Sequence, residues 1–237
     1  MPEAGAGTRR VTGAIQTGTT HHGKMTAVSA DEIARAAEDL GLPEEAVDLD
    51  KVLILKDFLK FYGRAANLTG SLADADLDAH VIEGLQLVAL ARQLGVQGRW
   101  LDIGSGGGFP GLVLAIGLDL QLTLVEPREK RADLLTLGLR KLGRADCEVL
   151  RGRIDGGQWR GIEGGPLEPG FDACSARAVF EPERWVREGG PWLRPGGLLF
   201  THLGAGQVAP AGLDEQGRLE RGRWAIVAGV PRGTLGS

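Results

Sequence analysis

The chain has 237 residues, 43% hydrophobic and 24% charged, with 27 basic against 31 acidic side chains and a net charge of −4. That balance is ordinary for a globular chain, and a negative net charge counts against nonspecific coating of nucleic acid. No apolar run approaches the 18 or so residues of a transmembrane helix, and the two cysteines, Cys147 and Cys174, are too few for a disulfide framework or a zinc site.

Residues 1–28 are polar, rich in Gly and Thr, and lack the continuous apolar core of a secretory signal. They are expected to be disordered, with Met25 as an alternative start, and the protein is expected to be a cytoplasmic monomer with buried thiols. Residues 29–95 read as a helical subdomain. Ser29 or Asp31 can cap a first helix that runs to about Leu40, where Gly-Leu-Pro ends it. Val52, Leu55, Leu59 and Tyr62 share one face of a second helix beside Phe58, and residues 77–94 form a third amphipathic helix.

After Gly95 the pattern changes, and residues 96–237 read as a second domain. Strands are expected at 99–103, 122–126, 147–150, 171–176, 197–203 and 224–229, separated by helices at 110–118, 128–142 and 181–193. Strands alternating with helices imply βαβ units and a mostly parallel sheet. Residues 152–170, rich in Gly and Pro, read as a loop or a short helix. Charge is uneven along the chain. Residues 31–50 carry eight acids and one base, whereas residues 128–160 carry nine bases and five acids. Solvated faces explain most such charges; a basic surface for an anionic substrate is the sharper reading.

The segment LDIGSGGGFPG (101–111) joins the first strand to an apolar helix and contains five glycines. A glycine-rich turn there sets a ligand at the carboxyl end of the sheet beside a helix N-terminus. Residues 106–111 formally fit the dinucleotide pattern G-x-G-x-x-G, a weak signal alone. Two neighbours decide the ligand. Pro110 has no N–H to offer a phosphate, and the carboxylate of Asp102 would repel a pyrophosphate but favour an ammonium group. The methionine end of S-adenosylmethionine carries such a group. A second anchor, an acid that ends strand two and holds ribose hydroxyls, belongs about 20 residues on, and Glu126 stands there.

These residues resemble the glucose-inhibited division B family, guanine-N7 methyltransferases of small-subunit ribosomal RNA, from about residue 50 to 230. NLT (67–69), DIGSGGGFPGLVLAI, TLVEPREKRADLL with Lys130 and Arg131, GRIDG (152–156) and SARAV (175–179) carry the resemblance in order. It implies a class I S-adenosylmethionine-dependent methyltransferase, a Rossmann-like α/β fold with a mostly parallel seven-stranded sheet and an N-terminal helical subdomain. Asp102, Gly104, Ser105, Gly106, Gly108 and Phe109 would surround the methionine moiety. Glu126 would take the ribose, and Arg153, Ile154 and Asp155 would flank the adenine. Arg177 and Arg223 match arginines that the family places near RNA and cofactor and His80 matches a family histidine; the three would be the catalytic residues, with Arg177 also at the cofactor, and the implied partner is ribosomal RNA or the small ribosomal subunit. No metal and no membrane are implied. Methylation of guanine N7 uses an in-plane lone pair and asks mainly for positioning.

The chain departs from the family on the substrate side. Leu203 replaces a lysine, Ala79 an arginine and Gly84 a serine, and WAIVAGV lacks a lysine beyond its Ile. These departures predict reduced efficiency on the family's own acceptor. Two alternatives follow: a non-catalytic RNA- or ribosome-associated module that keeps the fold, and a nicotinamide-dependent oxidoreductase.

Overall fold

The computed structural model describes residues 23–232 except Asn67, Thr69, Gly70 and Gly164. Most of the segment expected to be disordered, and two residues of the NLT motif, therefore lie outside the described residues. Three helices come first: α1 (Gly23–Asp39), α2 (Leu49–Tyr62) and α3 (Asp74–Gln93). The first begins at Gly23, upstream of the Ser29 or Asp31 cap expected from sequence. Asp48 caps α2, its side chain accepting the Lys51 N–H. Tyr62 is partly exposed, while Val52, Leu55, Phe58 and Leu59 are buried as the helical spacing requires. Helix α3 is buried on nearly every side, from Leu77 to Ala91, the mark of a helix enclosed by neighbours rather than lying on a surface. Lys56, buried on α2, is neutralised by Asp78 and Asp74 of α3, so the pair adds specificity to that packing without leaving a lone buried charge.

The rest is a sheet of eight strands, not seven: β1 (Arg99–Ile103), β2 (Gln121–Val125), β3 (Glu148–Asp155), β4 (Gln158–Glu163), β5 (Phe171–Ala176), β6 (Leu193–Gly204), β7 (Leu213–Arg221) and β8 (Trp224–Pro231). Their order is β4-β3-β2-β1-β5-β6-β8-β7. Strands β1, β2, β3, β5 and β6 run parallel, while β4, β7 and β8 pair antiparallel. The stretch expected to be a loop or short helix thus contains β4, which extends β3 as a hairpin. Helices α4 (Gly111–Gly117), α5 (Glu129–Lys141) and α6 (Pro182–Gly189) lie close to their expected positions.

Residues alternate across each strand. Trp100, Leu122, Leu124, Phe200 and Ile226 join one core with α1 to α5, so the helical segment and the sheet share a single apolar cluster. Leu101, Ile103, Cys174, Leu199 and Leu203 join the other core with Trp185 of α6. Cys174 is buried as expected, whereas Cys147 is only partly covered. Arg144, beyond α5, donates to the carbonyls of Ala115, Leu118 and Leu120. It thereby satisfies carbonyls at the end of α4 and in the loop that enters β2, groups a helix C-terminus otherwise leaves unpaired. From β1 the chain builds outward through β2 and β3 to β4, then returns to set β5 on the other side of β1, and ligands of open α/β sheets bind at the carboxyl ends of strands where the order reverses in this way.

Candidate active site

A cavity of about 690 Å³ opens at that reversal. The loop after β1 forms its floor. Gly104, Gly106 and Gly108 have φ of +72°, +54° and +96°, a region that side chains with a Cβ rarely adopt. At Gly104 a Cβ would also meet Val179 at 2.5 Å, and at Gly108 one would meet Leu112 at 2.5 Å. Pro110 precedes the first helical residue, Gly111, where a Cβ would meet Leu124 at 2.7 Å. The loop is bare because α4 lies close upon β2 and the backbone itself walls the cavity.

Glu126, just past β2, ties this loop down. Its Oε2 accepts the Gly106 N–H at 2.9 Å and its Oε1 the Arg128 N–H at 2.9 Å. The side chain is 3% exposed yet lines the cavity, and each carboxylate oxygen keeps a further lone pair. Arg153 and Ile154 line the same space from β3, with Arg128 and Arg131 beside them.

The opposite wall is built on α3. His80 and Glu83, three residues apart, face the same way across one turn and meet Arg177, which follows β5. Arg177 donates to His80 Nδ1 at 2.8 Å and pairs with Glu83 Oε2 at 2.9 Å. His202 of β6 reaches the other Glu83 oxygen at 3.1 Å. Burial and the adjacent Arg177 guanidinium push the His80 pKa down. Burial opposes ionisation of Glu83, but the His202 hydrogen bond and Arg177 outweigh it and hold that carboxyl below its ordinary range. Because guanidinium can only donate, His80 accepts through Nδ1, and in the neutral ring the proton sits on Nε2. The His80 ring also lies against Phe109, with centroids 5.2 Å apart.

Of the residues singled out in the sequence, His80, Gly104, Ser105, Gly106, Phe109, Glu126, Arg153, Ile154 and Arg177 line this cavity. Gly108 shapes the loop from beneath. Asp102 does not reach the cavity: it lies on the α4 side of β1, where Oδ1 accepts from Ser175 at 2.6 Å and Oδ2 has no described partner. Burial pushes its carboxyl up, against the Ser175 hydrogen bond. Asp155, at the end of β3, faces outward and lies 3.6 Å from Arg184. Arg223 sits in the β7–β8 turn with its guanidinium over the Trp224 ring, away from the cavity. Gly84 is not on the substrate side either, for a Cβ there would meet the Val113 side chain of α4 at 2.7 Å. Sequence reasoning missed Glu83. The signal was present: an acid flanked by apolar residues inside the buried run of α3 must have a partner.

A mostly parallel sheet with a Gly-x-Gly-x-Gly loop after its first strand and an acid closing its second defines the class I S-adenosylmethionine-dependent methyltransferases. Solved structures agree on the fold. The mitomycin 7-O-methyltransferase MmcR superimposes with a TM-score of 0.50 at 21% identity, over 67% of this chain and 56% of its own. A mutant of MtNAS in complex with S-adenosylmethionine does so with a TM-score of 0.50 at 18% identity, over 86% and 98%. The GidB family, described as rRNA small subunit methyltransferase G, matches residues 48–210. Proteins named ribosomal RNA small subunit methyltransferase G are similar along most of the chain. That of Anaeromyxobacter dehalogenans (strain 2CP-C) is 35% identical over 83% of this chain and 87% of its own. That of Ralstonia nicotianae is 32% identical over 82% and 84%. The chain belongs to the GidB family and is an S-adenosylmethionine-dependent methyltransferase. The family match gives the nicotinamide and non-catalytic alternatives no support.

Proposed function

We propose that the protein methylates N7 of a guanine in small-subunit ribosomal RNA, with the 690 Å³ cavity as its cofactor site. The residues there suit S-adenosylmethionine. Glu126 has carboxylate lone pairs left for two ribose hydroxyls, Ile154 offers an apolar side to the adenine, and the backbone of residues 104–106 and Phe109 enclose the methionine end. When bound, the cofactor supplies an electrophilic methyl group whose sulfur keeps the bonding pair.

The observation that carries the acceptor chemistry is the state of His80. The imidazole lining the cavity spends its Nδ1 lone pair on Arg177, so it is not free to take a proton. An amine or hydroxyl acceptor must lose one; guanine N7 presents its lone pair without doing so. Positioning is then the main task. A basic rim supports an RNA substrate. Arg153 and Arg160 stand directly opposite each other on β3 and β4, both exposed, with no ion pair to a described residue. Like charges directly opposite destabilise a strand pair unless an anion such as a phosphate joins them. The protein would act as a cytoplasmic monomer on the RNA within the small subunit.

The test is methyl transfer from labelled S-adenosylmethionine to small subunits that lack the modification, followed by nucleoside mapping. Label in 7-methylguanosine at one position of the small-subunit RNA is expected. Label in another nucleoside, or only in large-subunit RNA, would refute the acceptor.

A further inference from the structure

Arg177 lines the cofactor cavity, whereas Glu83, which grips it, does not. Only one nitrogen of Arg177 has partners among the described residues: Nη2 donates to His80 Nδ1 at 2.8 Å and meets Glu83 Oε2 at 2.9 Å. A guanidinium carries five N–H donors in a fixed plane, so those on Nη1 and Nε remain unspent. The Glu83 side chain is 7% exposed against 22% for Arg177. Its other oxygen, Oε1, meets His202 Nδ1 at 3.1 Å. One carboxylate oxygen is therefore anchored on β6 and the other on the arginine. So placed, Glu83 touches no ligand, but it fixes the plane of a side chain that can.

The order of the strands says which ligand group meets that plane. β3 offers Ile154 to the adenine, β2 leads to Glu126 for the ribose, and the loop after β1 encloses the methionine end. A cofactor laid across the carboxyl ends in that order points its amino-acid end toward β5, which Arg177 follows. His80, bonded to Arg177, also lies against Phe109 of that loop. Of the two charges at the amino-acid end, a guanidinium repels the ammonium and donates to the carboxylate. We propose that Glu83 is a positioning residue that, anchored by His202, clamps Arg177 so that its unspent donors meet the carboxylate of S-adenosylmethionine. A free arginine gives up rotamer freedom when it binds an anion, and a clamped one has given it up beforehand. This rests on the first cavity as the cofactor site, and not on which nucleotide takes the methyl group.

The test compares, by calorimetry, S-adenosylhomocysteine with its decarboxylated analogue, which keeps the amine. Wild type is expected to bind the first at least about tenfold more tightly. Glu83→Leu keeps apolar bulk in the buried helix and removes both contacts. It should lose most of that preference while its affinity for the decarboxylated analogue stays within about threefold of wild type. A merely structural role would weaken both ligands alike. Glu83→Gln keeps an oxygen for the guanidinium and should fall between the two. Arg177→Met removes the guanidinium, and adding Glu83→Leu to it should cost little more, because residues that act through one another are not additive. Four results would overturn the clamp: no preference in wild type, a full preference in Glu83→Leu, an equal weakening of both ligands, or an undiminished effect of Glu83→Leu beside Arg177→Met. Glu126→Ala tests the cavity separately and should weaken both ligands alike. If it weakens neither, the cofactor lies elsewhere and the site fails with the clamp; if it weakens both while Glu83→Leu keeps the preference, the site stands and the clamp alone fails.

Discussion

Removing the Glu126 side chain separates two roles that one carboxylate combines. In the structure its oxygens hold the N–H groups of Gly106 and Arg128, each at 2.9 Å, and in the proposed complex they also receive the ribose hydroxyls. Hydrogen bonds to a charged group contribute about 1.5–3 kcal/mol each. Two at the lower bound come to about 3 kcal/mol, so Glu126→Ala should weaken S-adenosylmethionine binding roughly 100-fold and at least tenfold. The free protein loses less. Gly106 and Arg128 can both reach water once the side chain is gone, and a loss of about 1–2 kcal/mol is expected. At about 2–4 °C per kcal/mol for a chain of this size, that is visible in a melting curve but leaves the protein folded. The assay is calorimetry with S-adenosylhomocysteine and with analogues lacking one or both ribose hydroxyls, on wild type and variant. Wild type should discriminate strongly against the deoxy analogues, and Glu126→Ala should discriminate little. Equal discrimination by both proteins would place the ribose elsewhere and leave Glu126 as a loop anchor alone.

The arginine pair should report on RNA. Because each lost phosphate contact flattens the salt dependence by about one, Arg153→Ala combined with Arg160→Ala should make the plot of log affinity against log salt shallower by about two; an unchanged slope would remove both from the interface. Gly84→Ser should lower stability by about 1–3 kcal/mol through overpacking against Val113, read as a lowered Tm; a gain in methyl transfer instead would restore Gly84 to the substrate side. Asp102 should leave a signature in pH. Its carboxyl is raised in the folded state, so native protein holds a proton that unfolded protein has released, and stability falls as pH rises from the ordinary carboxylate range through the raised value. Asp102→Asn should erase that decline in urea unfolding curves taken across the acid range, and a decline of wild-type size in the variant would assign it to another group.

The parts of the fold that were legible in the sequence are those where burial leaves a period. Strands β1, β2 and β5 are buried along nearly their whole length, and short apolar runs bounded by turn residues marked them. The two missed strands are edge or near-solvent elements. In β4 the residues QWRGIE are exposed almost throughout, and β7, LDEQGRLER, is little better covered. A strand without a buried face has no alternation to read, and β4 and β7 are held only as the outer arms of hairpins with β3 and β8. The site divided in the same way. The glycine loop and Glu126 were legible because their spacing is fixed by one βαβ unit, and the Gly106–Glu126 hydrogen bond closes it. Asp102 was misplaced because spacing does not say which face of β1 a residue occupies, and Glu83 was missed because its partners, Arg177 and His202, are far away in sequence.

The N-terminal helices help to build the candidate site. The cavity is walled on one side by the turn after β5, whose backbone at Ala178 has a positive φ, and a strained turn holds its shape only when its side chains are fixed from outside. Arg177 is fixed by His80 and Glu83, and both are supplied by α3. Helix α3 is in turn fixed by close contact of Gly84 with Val113 on α4, the helix that opens from the glycine loop. Gln86 adds a hydrogen bond to the Leu219 carbonyl on β7. The glycine loop and the turn after β5 are thus joined through one buried helix. Changes at the Gly84–Val113 contact should therefore move methyl transfer and cofactor affinity together, even though neither residue lines the cavity.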